Sequence, residues 1–159
     1  MGDFTPNNQT IRDEIARAVK ALKIDESAFG EVKSQWDDIV DKTVKRFVAA
    51  KDYKEANMRW AWTRFNQPYA SAVFADDRAY KRLPEIIEDD RAWFFAEESF
   101  DKFWIYEVKP SLIPLVLDET PYFEYYVVSK KYDWLLCENH HGRLFAVGER
   151  VIAKLNGIH

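Results

Sequence analysis

The sequence predicts an α+β fold: an N-terminal helix pair packed on a mostly antiparallel sheet of about five or six strands, with one short inserted helix. Three observations carry this expectation. Apolar residues in the first 48 positions recur at helical spacing. From Ala92 onward they alternate or form short apolar blocks of strand length. Turn-forming sequences then separate three such blocks near the C-terminus.

In the first helix Ile11, Ile15, Val19 and Leu22 fall on one face. Asp13 and Glu14 near its start, with Lys20 and Lys23 near its end, complement the helix dipole. Asp25, Glu26, Ser27 and Gly30 break the pattern. A second amphipathic run follows through Val32, Trp36, Ile39, Val40, Val44, Phe47 and Val48, with Lys33, Asp37, Asp38, Asp41, Lys42 and Lys45 opposite. The two are expected to form an antiparallel pair joined by a short loop, covering one face of the sheet.

Met58, Trp60 and Trp62 alternate with Arg59, Ala61 and Thr63, which reads as a strand, although helical spacing also places Met58, Trp62 and Phe65 together. Pro84 suits the first turn of a short helix through Glu88. Ala92–Glu97 and Phe103–Val108 form a candidate hairpin. Leu112–Leu117 is a two-turn helix with Pro114 tolerated in its first turn. Tyr122–Val128, Tyr132–Glu138 and Arg143–Val147 then form a meander, turning at Ser129-Lys130-Lys131 and Asn139-His140-His141-Gly142. Glu149–Leu155 closes the chain as a short helix. With no repeat and no long linker, residues 1–159 are expected to form one domain, with 1–9 as a flexible tail.

Composition narrows the function classes. At 159 residues, 47% hydrophobic and 31% charged, the chain has enough apolar content to form a core without disulfides or structural metal. The single cysteine, Cys137, fits a reducing compartment. Met1–Thr10 lacks the basic flank and apolar run of a secretory signal, and no apolar stretch approaches the ~18–20 residues of a membrane span. A cytoplasmic protein without membrane partners is therefore expected. Pro6 stands where a myristoylation signal needs Ser or Thr. The net charge of −4 arises entirely in residues 81–159, which hold 10 Lys and Arg against 14 Asp and Glu. This lacks the basic footprint of nucleic-acid binding. GxGxxG, P-loop and GxSxG motifs are absent, so no cofactor is expected.

The densest polar-aromatic stretch is Trp134–Gly142. Alternation places Trp134, Leu136 and Glu138 on one strand face, with Leu135 and Cys137 on the other. Cys137 is thereby expected to pack as a small hydrophobe rather than serve as a nucleophile. His140 and His141 adjoin Glu138, but no HExxH or CxxC spacing occurs and no metal site is expected. Tyr106, Tyr122, Tyr125 and Tyr126 are interleaved with Glu97, Glu98, Glu107, Glu124 and Glu138, and an acidic, Tyr-rich sheet face suits protein contacts. The candidate binding residues are Glu107, Tyr125, Glu138, His140 and His141, and no catalytic residue is assigned. The leading expectation is a protein-binding domain. The alternative is a small hydrolase or metal-dependent enzyme using Glu138 with His140 and His141.

Phe123–Ser129 followed by WLLCENHHG, together with Trp60-Ala61-Trp62 and the FWIYE segment, resembles a family of small bacterial proteins of unknown function, over residues 55–148. The resemblance implies a bacterial cytoplasmic α+β domain. In its order of helices, sheet and inserted helix, the chain is also similar to immunity proteins that neutralise bacterial toxins, including the cell-wall-assembly-regulator-like superfamily. That second likeness implies a protein partner, such as a toxin.

Overall fold

Local capping sets where the first helix begins. In the computed structural model, which describes residues 10–49, 58, 60–99 and 102–159, α1 (Ile11–Ala21) opens on a capping box formed by Thr10 and Asp13. The Glu98 carboxylate accepts hydrogen bonds from the Ile11 N–H and the Trp104 indole, each at 2.8 Å, fastening this end of α1 to the sheet. The expected flexible tail, residues 1–9, lies outside the described residues.

The remaining elements are β1 (Phe29–Glu31), α2 (Trp36–Phe47), β2 (Tyr69–Ala72), α3 (Leu83–Ile86), β3 (Ala92–Ser99) and β4 (Lys102–Val108), then α4 (Ile113–Leu117), β5 (Tyr125–Ser129), β6 (Leu135–Glu138), β7 (Leu144–Val147) and α5 (Glu149–Ile158). The strands form one sheet in the order β1-β4-β3-β5-β6-β7-β2. Every pairing is antiparallel. The α+β class and the C-terminal meander agree with expectation, and the strand count is slightly higher because β1 and β2 are added at the edges.

The pleat divides the core in two. Phe94, Tyr125, Val127, Leu136 and Ala146 point to one face, where α1, α3, α4 and α5 cover them. Phe95, Tyr126, Leu135, Cys137 and Phe145 point to the other, beneath α2, Met58 and Ala61. The two N-terminal helices therefore lie on opposite faces of the sheet, and the expected antiparallel pair covering one face does not form. The chain between them passes around the sheet edge, pairing there as β1 with β4. Each amphipathic stripe shows that its helix is buried, but not against which face.

The strand expected over Met58–Thr63 does not form among the described residues, which leave out Arg59. Trp60 takes a left-handed conformation with φ 54°, and residues 61–63 form a 3₁₀ turn. The alternating tryptophans give way to helical grouping: Met58 and Ala61 are buried together, with Trp62 and Phe65 packed against the same cluster. Among the described residues no helix is long and apolar enough to cross a membrane.

Gly148 joins β7 to α5 with φ 111°. A Cβ there would lie 2.7 Å from the Asp133 carbonyl oxygen and 2.8 Å from the Trp134 Cβ, so both conformation and space require glycine. Phe94 has the central place on the first face, with its ring centroid 5.5–6.3 Å from those of Phe29, Tyr106, Phe123 and Tyr125. Replacing it by alanine (Phe94→Ala) is expected to destabilise the protein by about 3–5 kcal/mol in urea unfolding. A loss below about 1 kcal/mol would contradict its place as the central packing residue.

Candidate functional site

Register brings two of the sequence-derived candidates together. Tyr125 of β5 lies directly opposite Glu138 of β6. Both side chains point to the face that carries α1 and α5, and the Tyr125 hydroxyl donates to Glu138 Oε1 at 2.9 Å. Glu138 is 1% exposed. Among the described residues no Lys or Arg forms an ion pair with it, in contrast to the exposed carboxylates of Glu88 and Asp118. Burial pushes its carboxyl up to about 7, opposed in part by the Tyr125 hydrogen bond.

The pair forms the floor of a recess of about 320 Å³, walled by Tyr80, Tyr122 and Phe123 and rimmed by Asp76, Asp77 and Arg78. Two segments outside the sheet build these walls. The residues after α4 carry Tyr122 over the end of β6, where its hydroxyl donates to the Asn139 carbonyl. Tyr122 is still 55% exposed, so its ring stands at the mouth. On the opposite wall, Asp76 accepts from the Arg78 N–H and from the Arg82 guanidinium, each at 3.0 Å. Tyr80 donates to Asp118 at 2.6 Å. Burial and Asp118 push the Tyr80 hydroxyl up to about 12. Asp118 also pairs with Lys81, which together with Tyr80 holds its carboxyl below the usual range.

His140 and His141 belong to a different cluster. Asn139 Oδ1 accepts the N–H groups of His141 and Arg143, each at 3.0 Å, and Gly142 supplies the positive φ of 77° that tightens the turn. Both imidazoles are exposed. Glu124, only 3% exposed, accepts the His140 N–H at 3.2 Å and lies 3.4 Å from its Nδ1. Burial raises the Glu124 carboxyl, while the His140 contacts oppose that rise. The Trp62 ring meets both imidazoles edge-on, with centroids 5.8 and 6.3 Å away.

The structure thus separates Glu138 from the histidine pair. Alternation along the strands sends Glu138 to the Tyr125 face and the Glu124–His140 contact to the face of Trp62. Among the described residues no group of three or more His, Cys, Asp or Glu side chains is placed to hold a metal ion. Glu107 lies elsewhere: it pairs with Lys130 at 2.9 Å and Arg91 at 3.2 Å, and these cations hold its carboxyl below the usual range. The tyrosines pictured on an acidic outer face are mostly inside. Tyr106, Tyr125 and Tyr126 are buried, and of the four only Tyr122 reaches solvent substantially. Asp76, Asp77, Arg78 and Tyr80 are among the recess residues that sequence reasoning missed. Their one sequence signal is a short polar-aromatic cluster inside a stretch without periodicity.

In the fold Glu138 keeps its proton up to about pH 7, whereas the unfolded chain releases it near 4.5. Its contribution to stability is therefore fully present below about pH 4.5 and is lost as pH rises toward 7. Relative to wild type, Glu138→Gln is expected to gain about 2 kcal/mol more in urea unfolding at pH 8 than at pH 5; the same difference at both pH values would refute the assignment. Cys137 is fully buried, and burial pushes its thiol well above the ordinary value. Ellman's reagent is expected to react with native protein only as fast as the chain unfolds, and rapid modification at neutral pH would contradict the packing.

No curated protein and no solved structure matches the chain. Residues 7–159 match the model of DUF6756, a family of unknown function, and the chain belongs to that family.

Proposed function

We propose that the chain is a protein-binding domain whose recess over Tyr125 and Glu138 receives a side chain of a partner, and that this partner is a toxin neutralised in the manner of an immunity protein. The observation that supports this reading is a carboxyl buried at the floor of a preformed recess, with the half-exposed Tyr122 ring at its mouth.

Several physical features favour binding at this place. The recess volume of about 320 Å³ lies at the lower end of ligand-pocket sizes and accommodates one side chain. The Tyr122 hydroxyl is already tied to the Asn139 carbonyl, so little side-chain entropy remains to be lost when a partner covers its ring. Tyrosines in this setting are frequent anchors of protein interfaces. The acidic excess of residues 81–159 favours a partner with a basic surface.

Co-expression with the product of each adjacent gene tests the proposal. One neighbour is expected to arrest growth alone, to be tolerated in the presence of this chain, and to co-purify with it. Tyr122→Ala is expected to weaken that complex by about 1–2 kcal/mol without unfolding the protein. Failure of the wild-type chain either to protect or to co-purify would overturn the proposal.

A further inference from the structure

We propose that the recess over Glu138 is a receptor for an organic cation, the guanidinium or ammonium head of an arginine or lysine side chain, enclosed by aromatic rings and neutralised by the Glu138 carboxylate. This rests on the reading of the recess as the partner-binding site and adds the chemistry of the group it takes.

One buried carboxyl of the protein lacks a balancing charge among the described residues. Two carboxylates among the described residues are nearly inaccessible, Glu124 and Glu138. Glu124 has the His140 imidazole and backbone N–H beside it. Among the described residues the Glu138 side chain has one hydrogen bond, from the Tyr125 hydroxyl to Oε1, and no cation paired with it. A buried carboxylate with that little compensation is costly, and it becomes favourable when a positive charge arrives and displaces its proton.

The walls fit such a charge. Tyr80, Tyr122, Phe123 and Tyr125 supply rings around the recess, and ring faces attract cations through their quadrupole. The charged groups at the rim are Asp76, Asp77 and Arg78. Arg78 is the cation on this lining, and among the described residues it forms no ion pair with Glu138. Lys81 is engaged by Asp118, and Arg82 by Asp76. Carboxyl groups still outnumber cations on the lining: with Asp76 paired to Arg82, Glu138 and Asp77 remain against Arg78.

Entry of the cation is a binding step coupled to a proton equilibrium: neutral Glu138 releases its proton to solvent, and the carboxylate keeps its Tyr125 hydrogen bond while its second oxygen faces the incoming head group. The coupling makes affinity rise with pH through the Glu138 midpoint and level off above it.

The test follows the side-chain carboxyl carbon of Glu138 by NMR across a pH titration of the full chain, alone and with methylguanidinium, methylammonium or neutral methylurea. A cation is expected to move the midpoint below the value of about 7 in the free protein and to shift Tyr122 and Tyr125 saturably, with methylurea inert. A response to methylguanidinium identifies an arginine-type head group, and one to methylammonium a lysine-type head group. Glu138→Gln keeps the shape and the Tyr125 contact and is expected to abolish the response. Tyr122→Leu, at a half-exposed position, is expected to weaken it about threefold. Equal binding of methylurea would overturn the cation assignment while leaving the recess a receptor. Silence of Tyr122, Tyr125 and Glu138 to all three probes would overturn both the assignment and the recess as a partner site. Persistence of the response in Glu138→Gln would show that the cation binds elsewhere and would also overturn the assignment.

Discussion

Burial of the central strands on both faces is the constraint from which the rest of the structure follows. Antiparallel sheets commonly leave one face to water. Here all residues of β5, β6 and β7 are buried. The strands accordingly read as short apolar blocks, YYVVS, LLCE and LFAV, rather than as alternating polar and apolar positions. Such a sheet needs a helical layer on each side. It obtains them by sending the chain from α1 around the edge through β1 to α2, so the two helices that begin the chain are separated by the sheet they cover.

The same constraint decides where polar chemistry sits. Between two covered faces a polar side chain finds its partners inside or raises the free energy of the fold. Ser129 accepts the Lys131 N–H at 3.1 Å, and Asn139 closes its turn through Oδ1. Glu124 and Glu138 lie where β5 and β6 meet the loops, the first against the histidine turn and the second against the aromatic recess. They are offset in sequence and point to opposite faces, which gives two separate polar sites at one end of the sheet.

Much of this was legible from residue order. Alternation from Trp134 to Glu138 correctly set Cys137 and Glu138 on opposite faces, and the turn at Asn139-His140-His141-Gly142 brought β6 and β7 together. The pairing of Tyr125 with Glu138 depends on register, which a single strand does not carry. β1 and β2 were illegible for a related reason. Phe29-Gly30-Glu31 and Tyr69-Ala70-Ser71-Ala72 have no apolar period of their own, and they become strands because β4 and β7 offer them edges. At Met58–Thr63 two periods competed, and the left-handed Trp60 decided for the 3₁₀ turn. The recess walls came from the least periodic part of the sequence, where Asp76 to Tyr80 are ordered by hydrogen bonds and ion pairs rather than by an apolar stripe.

The two edge strands bear on how the molecule behaves beside copies of itself. The sheet ends in strands of three and four residues, each offering only a few outward backbone groups for another chain to pair with. Pro68, which has no N–H to donate, stands immediately before β2, and Lys33 follows closely after β1. A sheet rich in aromatic and β-branched residues would otherwise invite edge-to-edge growth and fibril-like stacking. Its short, interrupted margins make the wide central sheet a poor template for such growth.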